Sequence, residues 1–347
     1  MENGKSSQLV LSSEDKFINW PSVQRKICLI KGTGIWVAFH DAALSTVGGT
    51  WTNFADKCVE LGFNVVFPRA GQNGSRENDW NPVVASRVIR IFKDRGIDCI
   101  PWIYVTPSGW KASVPIVQSL FHDGAPAVML DAEIEWEQSG EHQDDAFEYG
   151  EALKQACGED AILYHAPFPY INYHLTFPYT QFGSFCQGVM PQFYWTGNSY
   201  AQMSKTFPNW QTFNSKNSPI ATGLAPIGNT YGKNSSYPQG CTVDFTIDDL
   251  AAFDRYWKDT SFKSYYSWEA AHPDFFAYFN PDLSIPRGKQ IALWRTGFYN
   301  GKLDGAFGPE SEAATKAFQT AQGITADGVF GPDTAKAMWI QSELHCR

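Results

Sequence analysis

Residues 126–133 read PAVMLDAE, an apolar run that ends in two acids at alternate positions. Successive side chains of a strand point to opposite faces, so every second residue shares a face. Asp131 and Glu133 therefore lie on one face, with Met129 beneath them. A run that is apolar on both faces is typical of a parallel strand covered on both sides. The stretch therefore predicts a buried parallel strand that carries a pair of carboxylates at its carboxyl end.

Short apolar runs of this kind alternate with segments of helical length over about residues 35–271. The predicted strands are 35–41, 63–71, 97–105, 126–133, 161–167, 188–195, 219–226 and 262–269. The predicted helices include 51–62, 80–95, 142–157 and 246–259. Eight strands with helices between them predict an α/β protein with a (β/α)8 barrel, whose chemistry lies at the carboxyl ends of the strands. An open doubly wound sheet is the alternative, but no G-x-G-x-x-G or P-loop sequence supports it.

The first helix illustrates the apolar pattern on which these predictions rest. Its apolar face comprises Trp51, Phe54, Ala55, Cys58 and Val59. Gly62 follows, and glycine is the residue that most often ends a helix in a left-handed conformation.

An internal repeat follows a segment, 272–290, that is rich in Pro and Asp. LDGAFGPESEAATKAF (303–318) is matched by ADGVFGPDTAKAMW (326–339), 23 residues further on. Each copy reads as an Asp-Gly turn, an aromatic residue, Gly-Pro and then a helix with Pro in its first turn, where the missing N–H is tolerated. The repeat predicts a compact helical module.

This repeated motif resembles the peptidoglycan-binding domain found in many bacterial and phage wall hydrolases. The resemblance covers about residues 285–340, and it implies that the partner is bacterial peptidoglycan. We therefore expect four segments. They are an N-terminal extension (1–25), the barrel (26–275), a linker (276–288) and a helical peptidoglycan-binding domain (289–347).

The acid pair predicts a site for glycosidic bond cleavage. A desolvated carboxylate that faces a second one keeps a proton to higher pH, which suits general acid catalysis near neutrality. Glycosidases need one acid for the leaving oxygen and a second group for the oxocarbenium-like centre. Asp131 either acts directly or through water, or it orients a substrate 2-acetamido group that is itself the nucleophile.

Three stretches together resemble the short chitinase and lysozyme enzymes of glycoside hydrolase family 18. They are Asp131-Ala-Glu133, the sequence QFY at 192–194, and Trp268. The resemblance implies that Glu133 is the general acid, that Asp131 orients the acetamido group, that Tyr194 supports it and that Trp268 is a sugar platform.

The resemblance departs from the family 18 pattern at two points. Pro126 and Met129 stand where its D-x-x-D-x-D-x-E motif has the first two acids, and its S-x-G-G stretch is missing. The family 25 lysozymes, which are also barrels with a lone D-x-E motif, tolerate both losses, and Asp41 is the candidate for their acid near the first strand. The chain is thus similar to barrels of the family 18/25 type.

Further side chains near predicted strand ends are candidates for substrate binding. The full set comprises Gln192, Trp268, Asp41, Glu135, Trp102, Tyr104 and Trp195. Several of the candidates have a structural alternative. Asp131 and Glu133 could form an ion pair with Arg69, Glu135 could be an ordinary solvated loop acid, and the aromatic side chains could fill the core.

Composition excludes other function classes. The net charge of −9, without a Lys/Arg run, argues against nucleic acid or an anionic membrane as partner. Seven scattered cysteines without a C-x-x-C pair indicate reduced thiols. The histidines show no zinc-binding spacing, so we expect no metal and no cofactor. We expect a monomer.

The sequence thus predicts a peptidoglycan hydrolase that cleaves the glycan backbone, similar to a lysozyme (muramidase) of the endolysin type. An N-acetylglucosaminidase or chitinase of the family 18 type is one alternative, and a non-catalytic cell-wall lectin is another. The start of the chain lacks the pattern of a signal peptide. We therefore expect synthesis in the cytoplasm and action on the wall after release, either as a phage endolysin or as a secreted effector.

Overall fold

The computed structural model describes residues 32–138, 140–169, 171–193, 227–229, 246–257, 262–266 and 273–345. Its strands are β1 (Gly32–Val37), β2 (Val65–Gln72), β3 (Ser75–Arg76), β4 (Asp98–Cys99), β5 (Trp102–Tyr104), β6 (Val128–Asp131), β7 (Leu163–His165), β8 (Gly188–Val189), β9 (Gln192–Phe193), β10 (Ile227–Asn229) and β11 (Phe262–Tyr266). Its helices are α1 (His40–Ser45), α2 (Trp51–Leu61), α3 (Pro82–Lys93), α4 (Trp110–His122), α5 (Gln143–Cys157), α6 (Tyr179–Phe185), α7 (Ile247–Tyr256), α8 (Pro273–Phe279), α9 (Pro286–Arg295), α10 (Pro309–Ala321) and α11 (Pro332–His345).

The strands close into a barrel. Hydrogen-bonded neighbours follow the order β8, β7, β6, β5, β2, β1, β11, β10, β9, and each neighbouring pair on this path is parallel. Because β8 and β9 are two pieces of one stretch, 188–193, the path returns to its start. β4 and β5 both pair with β2 and share the third strand position. Eight strand positions, joined by helices wherever the connection lies within the described residues, confirm the predicted (β/α)8 barrel.

The inside of the barrel is filled by side chains. This inner core comprises Trp36, Ala38, Val65, Phe67, Ile100, Trp102, Ala127, Met129, Tyr164, Ala166, Met190 and Phe262. Trp36 stacks on Phe67 with 4.7 Å between ring centroids, and its Nε1 donates to Ser264 Oγ at 2.9 Å. Since the interior is packed, a ligand is expected to enter only at the strand ends.

A second core lies between the strands and the surrounding helices, and α2 shows why its sequence folds as it does. Thr50 Oγ1 accepts from the Asn53 amide at the start of the helix, and Gly62 ends it with φ of 78°. The predicted apolar face is confirmed except at Val59, which is 49% exposed. Val59 lies at the edge of the apolar stripe, so it turns to solvent while its neighbours pack.

One strand prediction needs correction, and another falls outside the described residues. The strand predicted at 35–41 ends at Val37, and the chain turns into α1 at His40. The contacts of His40 favour this early turn: its buried ring packs against Trp51 and Trp80, and its Nδ1 lies 2.7 Å from Asp79 Oδ2. The range predicted as the seventh strand, 219–226, lies outside the described residues, and the strand observed at that position of the barrel is β10.

The cysteines of the described ranges are free thiols. These are Cys58, Cys99, Cys157 and Cys186. Burial raises the pKa of the Cys157 thiol to about 11 and raises that of Cys99 well above its usual range. These two thiols therefore stay protonated near neutral pH, as expected of structural cysteines.

The repeat forms a module of three helices, α9, α10 and α11, each of which begins at a proline. The glycines of the two Asp-Gly turns, Gly305 and Gly328, have φ of 81° and 79°, a conformation that favours glycine. A buried glutamine holds each turn. Gln290 Oε1 accepts from the Gly305 amide at 2.7 Å, and Gln319 Oε1 accepts from the Gly328 amide at 2.8 Å.

The two glutamines also use their amide nitrogens in the same way. Gln319 Nε2 contacts Asp327 Oδ1, Val329 O and Thr334 Oγ1 at 2.8–3.0 Å. Gln290 Nε2 contacts the equivalent atoms of Asp304, Ala306 and Ser311 at 3.1–3.4 Å. The two turns therefore share one kind of buried hydrogen-bond network, which explains why both copies keep an Asp in the turn and a hydroxyl side chain, Ser311 or Thr334, in the helix.

We expect Gln319→Leu to loosen the second turn. The substitution leaves the buried Gly328 amide without its acceptor, which costs roughly 1–3 kcal/mol. Hydrogen exchange at Gly328 should accelerate by about 10-fold or more, because 1.4 kcal/mol corresponds to a factor of ten. Ala317→Leu, at an exposed position of the same helix, is the control. Unchanged protection at Gly328 in the Gln319 variant would contradict this role.

Helix α8 connects the barrel to the module. Phe279 packs against Phe63 and Tyr265 of the barrel, with centroid distances of 4.9 and 5.0 Å. Arg295 of α9 donates from Nη1 to the carbonyl oxygens of Tyr278 and Phe279 at 3.2 and 2.7 Å. Helical structure thus occupies 276–279 and begins again at 286, within the range expected as a linker.

Candidate active site

The acids lie at the carboxyl end of β6, on the inward face. Ala127 and Met129 belong to the inner core, and Asp131 continues their face one step higher. The strand pairs in parallel with β5, where Tyr104 is the partner of Asp131. Asp131 is 6% exposed, whereas Glu133, just beyond the strand, is half-buried. This placement follows from the period of two that the sequence shows.

Gln192 contacts both carboxylates from β9, which lies two strand positions away from β6 in the barrel. Its Nε2 lies 2.9 Å from Asp131 Oδ1, 3.2 Å from Glu133 Oε1 and 2.8 Å from the Ala166 carbonyl oxygen. The contact spans 61 residues of sequence and joins β9 to β6. One amide therefore fixes both acids relative to each other.

Burial and mutual repulsion change the acidity of the pair. Desolvation raises the pKa of Asp131 well above its usual range, and the negative charge of Glu133 raises it further, while Arg69 and the Gln192 hydrogen bond oppose this. Desolvation also raises the pKa of Glu133, with a smaller contribution from Glu135 and an opposing one from Gln192. The pair therefore retains a proton to higher pH than isolated carboxyl groups do.

Arg69 supplies positive charge at the same level of the barrel. It follows Val65 and Phe67 on the inward face of β2, and its guanidinium lies 5.4 Å from the Trp102 ring centroid. Its Nε lies 2.8 Å from Glu77 Oε1, so its ion pair is made with that residue. Among the ion pairs of the described residues, none joins Arg69 to Asp131 or Glu133.

Two more acids follow in the loop after β6. Glu135 lies in a 3-10 turn, Ile134–Trp136, and its Oε2 accepts from the Tyr104 hydroxyl at 2.6 Å. Desolvation and this hydrogen bond raise the pKa of Tyr104. Glu137 instead pairs with His174 Nδ1 at 2.6 Å. The strand does not continue to Glu135, but Tyr104 still holds that carboxylate beside the acid pair.

The remaining candidates divide into two groups. Tyr194, Trp195 and Trp268 lie outside the described residues, so their roles stay predictions. Asp41 is exposed on α1, and none of its hydrogen bonds or ion pairs among the described residues joins it to the acid pair. Trp102 is 3% exposed beneath Arg69, which leaves it little ring surface to offer a sugar.

The sequence interpretation treated Arg69 only as a structural partner of the acids. The signal for its place in the site is the same period of two, since Val65, Phe67 and Arg69 alternate along β2 as Ala127, Met129 and Asp131 do into β6. The double contact of Gln192 has no such local signal, because it depends on two strands separated in sequence. Only the closed barrel brings them together.

We expect Gln192→Leu to move the pH–activity profile to higher pH. Loss of the amide removes a hydrogen bond that lowers the pKa of both Asp131 and Glu133. Both limbs of a bell-shaped profile should therefore shift upward, and the rate should fall by about 10-fold or more because the pair is less well ordered. Gln143→Leu, an amide that contacts only the Thr176 carbonyl oxygen, is the control. An unchanged profile would contradict the assigned contact.

Two further observations concern what the described residues contain. No helix among them is both long and apolar enough to cross a membrane. In the same ranges, no group of three or more His, Cys, Asp and Glu side chains is arranged to hold a metal ion.

Several solved structures resemble the chain distantly. The chitinase ICChI of Ipomoea carnea is 15% identical, with 71% of this chain and 97% of that chain aligned and a TM-score of 0.46. The spore cortex-lytic enzyme SleL of Bacillus cereus is 12% identical, with 72% of this chain and 75% of that chain aligned and a TM-score of 0.48. A family 18 chitinase of Crocus vernus is 11% identical, covering 71% and 97%, with a TM-score of 0.46.

Sequence comparison gives a more specific result for the C-terminal part. The N-acetylmuramoyl-L-alanine amidase CwlM of Mycobacterium tuberculosis is 38% identical over 53 residues, which are 15% of this chain and only 13% of that protein. Residues 289–338 match the model of the family described as putative peptidoglycan binding domain. Over residues 289–338 the module formed by α9, α10 and α11 therefore matches the kind of peptidoglycan-binding domain that its repeat resembles.

Proposed function

We propose that the protein is a glycoside hydrolase that cleaves the glycan backbone of bacterial peptidoglycan. The observation that carries this proposal is the contact of one amide, Gln192 Nε2, with both Asp131 and Glu133 at the carboxyl end of a parallel barrel. Such barrels hold their chemistry at that end. Paired carboxylates with raised pKa values are the groups that glycosidic bond cleavage needs.

The difference in exposure supports one division of roles within the pair. Glu133 is half-buried, so a glycosidic oxygen that enters the barrel mouth can reach its carboxyl group. Asp131 lies deeper and is almost fully covered. Glu133 is therefore the general acid that protonates the leaving oxygen, and Asp131 is its partner beneath, where it shares the proton and faces the sugar carbon or its 2-acetamido group.

The separation of the acids limits the mechanism. Asp131 Oδ1 and Glu133 Oε1 both lie within 3.2 Å of Gln192 Nε2. They are therefore closer together than the roughly 6.5–9.5 Å that inverting enzymes need to place an attacking water between their carboxyl groups. This favours retention of configuration, either by direct attack of Asp131 or by attack of the substrate's own acetamido oxygen, which Asp131 would orient.

The C-terminal module supports peptidoglycan as the substrate. Residues 289–338 match a family described by peptidoglycan binding, and the barrel and module are one chain. A module that holds the enzyme on an insoluble polymer raises the local concentration of bonds that the barrel can reach. Cleavage after muramic acid, as in a lysozyme, is the reaction we assign, and the N-acetylglucosaminidase reaction is the alternative. Delivery as a phage endolysin or as a secreted effector stays a prediction of the sequence.

The proposal is tested by incubating the full chain with purified insoluble peptidoglycan and measuring two products. A glycosidase releases new reducing sugar ends and no new free amino groups. New amino groups without reducing ends would instead show cleavage of an amide or peptide bond. If neither appears while the protein still sediments with the wall, the chain is a wall-binding lectin and the proposal fails.

A further inference from the structure

A groove separates the barrel helix α7 from the C-terminal module, well apart in the sequence from the acid pair. Its volume is about 650 Å³, which is within the range of small-ligand sites. Asp248 and Arg255 line it from α7, and Trp294, Lys302 and Glu310 line it from the module. Because both parts contribute a wall, neither forms this groove alone.

Two observations show that the walls of the groove have a defined shape. The Arg255 guanidinium lies over the Trp294 ring at 4.1 Å, so a contact between two lining residues joins α7 to α9. At Gly301, a Cβ atom would lie 2.5 Å from the Tyr299 hydroxyl and 2.6 Å from Glu310 Oε2. Glycine therefore keeps this part of the wall open where a side chain would obstruct it.

The groove presents charges of both signs. Arg255 and Lys302 are exposed cations, and Asp248 and Glu310 are exposed anions. Among the ion pairs of the described residues, none involves any of these four. A neutral polysaccharide has no group that matches these charges. A short peptide with carboxylates and an ammonium group matches both kinds.

We propose that this groove binds the peptide part of peptidoglycan. Arg255 and Lys302 would contact the carboxylates of the peptide, and Asp248 and Glu310 would contact its ammonium group. The inference rests on the proposed function, from which it takes peptidoglycan as the substrate. It adds that the protein recognises the peptides of that polymer as well as its glycan. Chitin, which has the same acetamido sugars but no peptide, is not retained by this groove.

The test uses the full chain carrying Glu133→Gln, so that binding is measured without turnover. Isothermal titration calorimetry compares a disaccharide-tetrapeptide with one free amine against the same disaccharide without peptide. Lys302→Glu and Asp248→Lys reverse one charge on each wall. Their matched controls are Lys316→Glu on the module and Asp144→Lys, which like Asp248 lies in the first turn of a barrel helix.

The peptide-bearing probe should bind at least 10-fold more tightly than the peptide-free disaccharide. Each groove variant should raise the Kd for the peptide-bearing probe by about 10-fold, and each control variant should leave that Kd unchanged. Equal affinity for the two probes, no binding of either, or equal losses in groove and control variants would overturn the inference. Reducing-end release by the chain with Glu133 intact decides the proposed function separately, so the two ideas can fail independently.

Discussion

Replacing Glu133 by glutamine is expected to lower the rate of glycan cleavage by roughly 10²- to 10⁴-fold, the contribution of a positioned general acid. Glutamine keeps the size of the side chain and its ability to contact Gln192, but it cannot give a proton to the leaving oxygen. Initial rates of reducing-end release from insoluble peptidoglycan measure the effect. Sedimentation with the wall should be unchanged, because the module lies elsewhere in the chain.

Glu148→Gln is the matched control for this experiment. It makes the same chemical change at an exposed position of α5 and should leave the rate within about two-fold of the unsubstituted chain. If Glu133→Gln retained full activity, Glu133 would not be the acid. If both variants lost activity equally, the loss would reflect the stability of the barrel and not the chemistry of its mouth.

Asp131→Asn is expected to have the second largest effect, a loss of about 10²-fold or more in the rate. Asparagine fills the same space on β6 but lacks the charge that stabilises the oxocarbenium-like centre or orients the acetamido group. Reducing-end release again provides the measurement. A rate close to that of the unsubstituted chain would show that Asp131 is a structural residue, as in the ion-pair interpretation.

The same variant should be more stable at high pH. Because the pKa of Asp131 is raised in the folded chain, its proton stabilises the fold below the pKa of the unfolded chain, and this contribution is lost as pH rises through the folded pKa. Asparagine does not ionise. The Tm of Asp131→Asn should therefore exceed that of the unsubstituted chain at pH 8, and the difference should shrink toward pH 4. A difference in Tm that is the same at both pH values would contradict a raised pKa of Asp131 in the folded chain. Asp144→Asn, at an exposed position, is the control.

Local patterns in the sequence account for much of the fold. The apolar stretch at 126–133 gave the strand that carries the acids, because burial on both faces demands apolar residues and the period of two sets the direction of each side chain. The repeat, whose copies lie 23 residues apart, likewise predicted the helical module, since each copy must supply its own turn glycine and turn aspartate. Both patterns are local, so they can be read without the tertiary structure.

Contacts between distant parts of the chain could not be predicted in this way. The first strand ends early, just before His40 packs against Trp51 and Trp80, and Trp102 is buried in the inner core with Arg69 over its ring. Gln192 was expected near the site, but its simultaneous contact with Asp131 and Glu133 depends on closure of the barrel. Spacing along the chain carries no information about such closure, which is why the acid pair was predicted and its geometry was not.

The central claim is that the acid pair of the barrel breaks a glycosidic bond in peptidoglycan. The most direct test is mass spectrometry of borohydride-reduced products after insoluble peptidoglycan is incubated with the full chain or with Glu133→Gln. We predict new reduced sugar ends from the unsubstituted chain alone, with muramitol ends identifying a lysozyme reaction and glucosaminitol ends an N-acetylglucosaminidase reaction. No new reduced ends from the unsubstituted chain, or equal amounts from both proteins, would contradict the claim.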